Sequence, residues 1–153
     1  MAFMSSHGYI LPTRGVIVSA EDRATQTAKT VADVVGIARR VEALGFDAAW
    51  VGDSVLAKPR HEPLTTLSAV AGATKSLTLG TAVYLPPLRH PVHIAHQTAT
   101  LDQLSGGRFC WGVGVGIGSA VQEEYDELDI PYRRRGPMLD ESLDVVTELW
   151  TGD

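Results

Sequence analysis

The amino-acid sequence predicts an α/β fold with a parallel sheet, on three observations. Strand-like and helix-like patterns alternate as β-α-β-α-β-α-β-α along 153 residues, the order produced by strands joined through helical crossovers. The strands recur about every thirty residues, and Gly, Pro or charged residues mark the junctions. A (β/α)8 barrel of ~250 residues has this period. A doubly wound open sheet permits it equally, so periodicity leaves the two architectures open.

The elements follow in order. GVIVSA (15–20), DAAWVGD (47–53), LTLGTAVYL (77–85) and RFCWGVGVG (108–116) are rich in β-branched or aromatic residues and read as strands. Val31, Val34, Val35, Ala38, Val41 and Leu44 recur at helical spacing, with Gly45 as the stop. A second helix begins at Pro63, suited to a first helical position, and carries Leu64, Leu67 and Ala71 on one face. A third starts at Pro91, runs through Ala95, Thr98 and Ala99 to Leu104, and ends at Gly106 and Gly107. A polar stretch then leads to a helix with Leu139, Leu143, Val146 and Trp150 in register.

Composition narrows the function classes. With 44% hydrophobic and 20% charged residues the chain reads as an ordinary globular domain. The net charge of −5 and the lack of a basic stripe argue against nucleic acid. The acidic run Glu123 to Asp129, followed by Arg133, Arg134 and Arg135, reads as a solvated helix face and its flank. One cysteine, Cys110, excludes an intramolecular disulfide, and its strand-like surroundings predict a buried, inert thiol. No apolar run approaches the ~20 residues of a membrane span, and the opening segment lacks the pattern of a signal peptide. The expected location is cytoplasmic.

Four stretches could carry chemistry. CWGVGVGIGS (110–119) places Gly112, Gly114, Gly116 and Gly118 at every second position. Neither the dinucleotide fingerprint nor the P-loop spacing fits, whereas a period of two belongs to a strand. Its glycine face is either an open floor for a flat ligand or relief from crowding beside another backbone. In WVGDS, Asp53 ends the second strand at the carboxyl edge, where parallel α/β folds place their sites, with Ser54 beside it as a possible donor. In GTAVYLPPLRHP the ladder ends at Pro86 and Pro87, leaving Tyr84 and Arg89 at the same edge, Arg89 as a weak candidate for an anion. His90, His93 and His96 match no metal-ligand spacing and read as capping or surface histidines, so no metal is expected.

Taken together, GFDAAWVGDS, the LDQLSGGR segment within residues 77–116, and the closing ELWTG resemble the luciferase-like monooxygenases, a family of FMN-dependent monooxygenases and F420-dependent reductases. The resemblance runs from about residue 15 to the end. It implies a (β/α)8 barrel of which this chain carries the first four units, with 1–14 as an N-terminal extension and 15–153 as the N-terminal half of the barrel domain. It implies a flavin-like ring at the carboxyl ends of the strands, from coenzyme F420 or reduced FMN, with F420 favoured. Such a ring would pass hydride to a small organic substrate, or support its oxygenation. The resemblance matches Asp53 to the acid that contacts the ring in F420-using members; Asp53 and, beside it, Ser54 as a possible donor are the catalytic candidates. It assigns Asp53, Ala82, Val83, Gly114, Val115 and Gly116 to cofactor binding, with a non-prolyl cis peptide at Ala82–Val83. Two positions depart from common family patterns: Ser54 stands where many relatives carry His, and Ile117 where some carry an acid. Four units leave two bare sheet edges. The expected partners are therefore a second copy or a missing C-terminal half. The alternative reading is a non-catalytic half-barrel that requires such completion.

Overall fold

The computed structural model describes residues 6–14, 33–56 and 60–152. Its four strands are all parallel and lie in the sequential order β1-β2-β3-β4: β1 (Gly8–Ile10), β2 (Ala48–Val51), β3 (Thr78–Thr81) and β4 (Phe109–Cys110). A doubly wound sheet reverses its order at a switch point, whereas a barrel adds each strand beside the last. The order therefore decides what the thirty-residue period left open.

The strand predicted at 15–20 lies outside the described residues. Among the described residues the first strand is Gly8–Ile10, inside the segment read as an extension. Three residues are too few to show an alternation, and only pairing with β2 makes them a strand. The fourth strand is also shorter than predicted. Its ladder with β3 ends at Cys110, and one further bridge joins Tyr84 to Val113. Gly116 and Gly118, at φ of 66° and 98°, turn the chain away from any strand path.

Helices cover one face of the sheet. α1 (Val34–Ala43) starts at Asp33, whose carboxylate accepts the Gly36 N–H, and stops before Gly45 at φ 82°. Val31, expected on its apolar face, lies outside the described residues. α2 (Pro63–Ala73) and α3 (Pro91–Ser105) begin at the prolines that predicted them, and α3 ends at Gly106 in the left-handed conformation. His90 caps α3 through its ring, as its place before Pro91 predicts. α5 (Arg135–Thr151) buries Val146, while Trp150 sets its ring edge-on to Trp111 and donates to the Ala95 carbonyl.

A helix that the patterns did not predict, α4 (Ser119–Glu127), fills the polar stretch. The acidic run is only partly a solvated face: Glu124 and Tyr125 are buried.

Paired positions on parallel strands face the same way, so the sheet has two distinct sides. Ala49, Leu79 and Phe109 form one row, toward the helices, where Ala49 and Leu79 are fully buried in the main core. Ile10, Trp50, Gly80 and Cys110 form the other. Trp50 lays its indole where a Cβ on Gly8 or Gly80 would stand. Ile10 is 70% exposed, and Cys110 is exposed rather than buried as expected. The correction has a plain cause: this row faces the inside of the curved sheet, and the helices cover only the outside.

Arg108, in the SGGR segment, ties the lower ends of the helices to β3. Its guanidinium donates to the carbonyls of Ala71, Thr74, Leu77 and Ser105, spanning the ends of α2 and α3 and the start of β3.

Candidate functional site

At the carboxyl edge of the sheet, the segments after β2, β3 and β4 converge with α4. Asp53 leaves β2 with its side chain fully buried. One carboxylate oxygen accepts the Leu85 N–H at 3.0 Å and Arg89 Nη1 at 2.6 Å; the other accepts Arg89 Nη2 at 2.9 Å. This bidentate fork locks the end of β2 to the short 3-10 turn Pro86–Leu88. Burial opposes the Arg89 charge, but the hydrogen bonds and charge of Asp53 outweigh it and raise the Arg89 pKa.

Tyr84, predicted at this edge, is fully buried in the main core, with the Arg89 guanidinium 4.4 Å above its ring. Burial pushes its hydroxyl pKa well above the usual phenol range, and no described group bonds that hydroxyl. Thus Asp53, Arg89 and Tyr84 form one packed unit beneath the edge.

The peptide bond Ala82–Val83 is cis, at the position the resemblance assigned. Val83 follows it with 42% of its surface exposed. The glycine run resolves toward close packing. A Cβ on Gly112 would collide with the Thr81 carbonyl, one on Gly114 would lie 2.8 Å from Val83 Cγ2, and one on Gly116 would lie 2.6 Å from Val121 Cγ1. Each of these three glycines makes room for a protein neighbour, and for Gly114 that neighbour is Val83.

Sequence reasoning missed two residues here. Glu124, buried on α4, accepts from the Ser54 hydroxyl and from the Val55 N–H at 3.2 Å, so α4 reaches across to the segment after β2. Tyr125 beside it donates to the Val115 carbonyl at 3.0 Å, and burial pushes its pKa up to about 12. Four flanking carboxylates disguised Glu124; the signal was Tyr125, an aromatic residue inside an acidic run. The other missed residue is Arg60, which donates to the Asp53 carbonyl at 3.2 Å while its Nε is buried without a partner. Of the predicted residues, the structure brings Asp53, Ser54, Val83, Val115 and Arg89 to one edge, with Tyr84 below them.

These elements define a class: four consecutive units of a parallel barrel, with polar groups gathered at the carboxyl edge. The chain belongs to the luciferase-like monooxygenase family, whose sequence pattern matches residues 13–153. It is 38% identical over 134 residues to the F420-dependent glucose-6-phosphate dehydrogenase of Amycolatopsis mediterranei (strain U-32), covering 79% of this chain and 38% of that protein. Among solved structures it is similar to monooxygenase RslO1 from Streptomyces bottropensis, with TM-score 0.75, 24% identity, and coverage of 95% of this chain and 43% of that one. The oxygenating constituent of 3,6-diketocamphane monooxygenase of Pseudomonas putida, solved with FMN, also aligns. Its TM-score is 0.75 at 20% identity, covering 95% of this chain and 39% of that one. The chain therefore spans about two-fifths of the proteins it matches. No helix among the described residues is long and apolar enough to cross a membrane.

Proposed function

We propose that this chain forms the ring-binding part of an oxidoreductase that uses coenzyme F420 or FMN to reduce or oxygenate a small organic substrate. The observation that carries the reading is Val83, an apolar side chain 42% exposed at the carboxyl edge of a barrel of this family. Gly114 packs directly against it, so no side chain from the fourth unit covers it at that contact. This surface fits one face of a flat ring. When bound, the ring supplies the hydride, or as reduced flavin the reactivity toward oxygen.

The residues of the chain bind and orient. The Asp53–Arg89 fork sets the height of the turn after β3, and with it the position of Val83. Glu124 holds Ser54 and Val55 in place, and the backbone of Gly114, Val115 and Gly116 borders the platform. F420 is the favoured cofactor, because the dehydrogenase at 38% identity is F420-dependent by name.

Fluorescence titration of the purified chain with F420 and with FMN tests the reading. Saturable micromolar binding by folded protein, tighter for F420 and weakened by Val83→Asp, is the expected result. No binding of either by a folded chain overturns it. A second reading is a half-barrel inactive until completed by a second copy or a complementary half. The exposed inner row at Ile10 and Cys110 favours it.

A further inference from the structure

The geometry points to an oxyanion site for a phosphate group, formed by Arg14 and Arg60 at the carboxyl edge beside β1 and β2. Past Ile10 the chain continues to an antiparallel bridge between Arg14 and Arg60, buttressed by the His61 N–H donating to the Thr13 carbonyl at 3.0 Å. Residues opposed on such a bridge project to the same side with Cβ atoms roughly 5 Å apart, and like charges placed there repel. Among the described residues neither arginine forms an ion pair; the pairs present are Arg89 with Asp53 and Glu62, and Arg134 with Glu141.

Arg60 is held, not merely solvated. Its Nη1 donates to the Asp53 carbonyl, and Nη2 lies 2.7 Å from where a Cβ on Gly52 would stand, so the guanidinium occupies a notch open only to glycine. Its Nε is buried and unpartnered. Burial lowers the Arg60 pKa and Arg14 lowers it further, while Asp53 and Glu124 act the other way. Those two carboxylates are engaged elsewhere, Asp53 by Arg89 and Leu85, Glu124 by Ser54 and Val55.

A fixed guanidinium whose Nε and Nη2 have no hydrogen-bond partner among the described residues, set beside a second one, matches the charge and acceptor geometry of phosphate. Arg89, the arginine the sequence singled out for an anion, is committed to Asp53. The inference extends the ring-binding reading without needing it. The phosphate belongs to a small molecule over the barrel mouth, either the cofactor or the substrate.

Thermal denaturation of the full 153-residue chain in increasing inorganic phosphate, with chloride matching the ionic strength, tests the site. A phosphate-specific rise in Tm is expected. Arg60→Gln and Arg14→Gln should each weaken the apparent phosphate affinity about tenfold or more, the loss expected for a charged hydrogen-bond donor. Arg39→Gln, on the exposed face of α1, should not. Repeating the titration with saturating FMN or riboflavin separates the sources. Loss of the response with FMN but not riboflavin assigns the site to the cofactor's phosphate; persistence with both, where quenching of the flavin fluorescence shows FMN bound, assigns it to substrate. Arg14 is exposed and makes no described side-chain contact, so its variant carries the test if Arg60→Gln fails to fold. No phosphate effect beyond chloride, or wild-type response in both variants, overturns the site. Because phosphate alone is the probe, failure to bind F420 or FMN leaves this result readable.

Discussion

Asp53 carries the heaviest burden of any single residue. Its buried carboxylate has three donors, and Arg89, 18% exposed, has no comparable alternative. Removing one member of a buried pair strands the other, so Asp53→Asn should cost about 3 kcal/mol or more. An Asp53→Leu, Arg89→Met double variant should lose less than the sum of its single changes. Urea denaturation of the three proteins measures this, and a cost for Asp53→Asn under about 1 kcal/mol would show the pair to be no more than a surface contact. The sequence located Asp53 at the carboxyl edge correctly, because the end of a strand is a local pattern. It did not reveal that the partner is Arg89, 36 residues away, since that choice depends on how two segments fold over the sheet.

Between elements, Glu42 near the end of α1 performs a similar service in a more open place. One of its carboxylate oxygens accepts the N–H groups of Ser76, Lys75 and Leu77 and the Ser76 hydroxyl, clamping the link between α2 and β3. The backbone N–H of Ser76, ahead of the other donors, brings its pKa down from 4.5 to about 2 against the opposing pull of burial. A depressed carboxylate stabilises the fold fully above its unfolded pKa and ceases to do so as pH falls through its folded one. Wild type should therefore lose stability relative to Glu42→Gln as pH falls from about 4.5 to about 2. Parallel urea midpoints for the two proteins across that range would contradict this. The helix starts at Pro63 and Pro91 and the stops at Gly45 and Gly106 were legible because proline and glycine act through the backbone itself. The acidic helix α4 was not, because its buried face is only Glu124 and Tyr125.

For the molecule as a whole, the exposed inner row makes a prediction about association. β1 and β4 are the outer strands of the described sheet, and Ile10 stands 70% exposed on its concave side. Free edges beside an apolar face favour pairing with another chain. The 153-residue chain should self-associate with rising concentration in sedimentation velocity, and Ile10→Lys should reduce this while leaving the far-UV spectrum unchanged. A chain that stays monomeric at all concentrations contradicts the prediction. The sequence by itself determined the α/β class, the thirty-residue rhythm, most helix ends and the edge at which polar residues gather. All of these follow from backbone preference and hydrophobic period within a few residues. Only the tertiary structure decided the sequential strand order, the first strand at Gly8–Ile10, the packing role of the glycines and which arginine is committed to a carboxylate. Each of those depends on what a residue meets across the sheet, and that partner comes from a distant part of the chain.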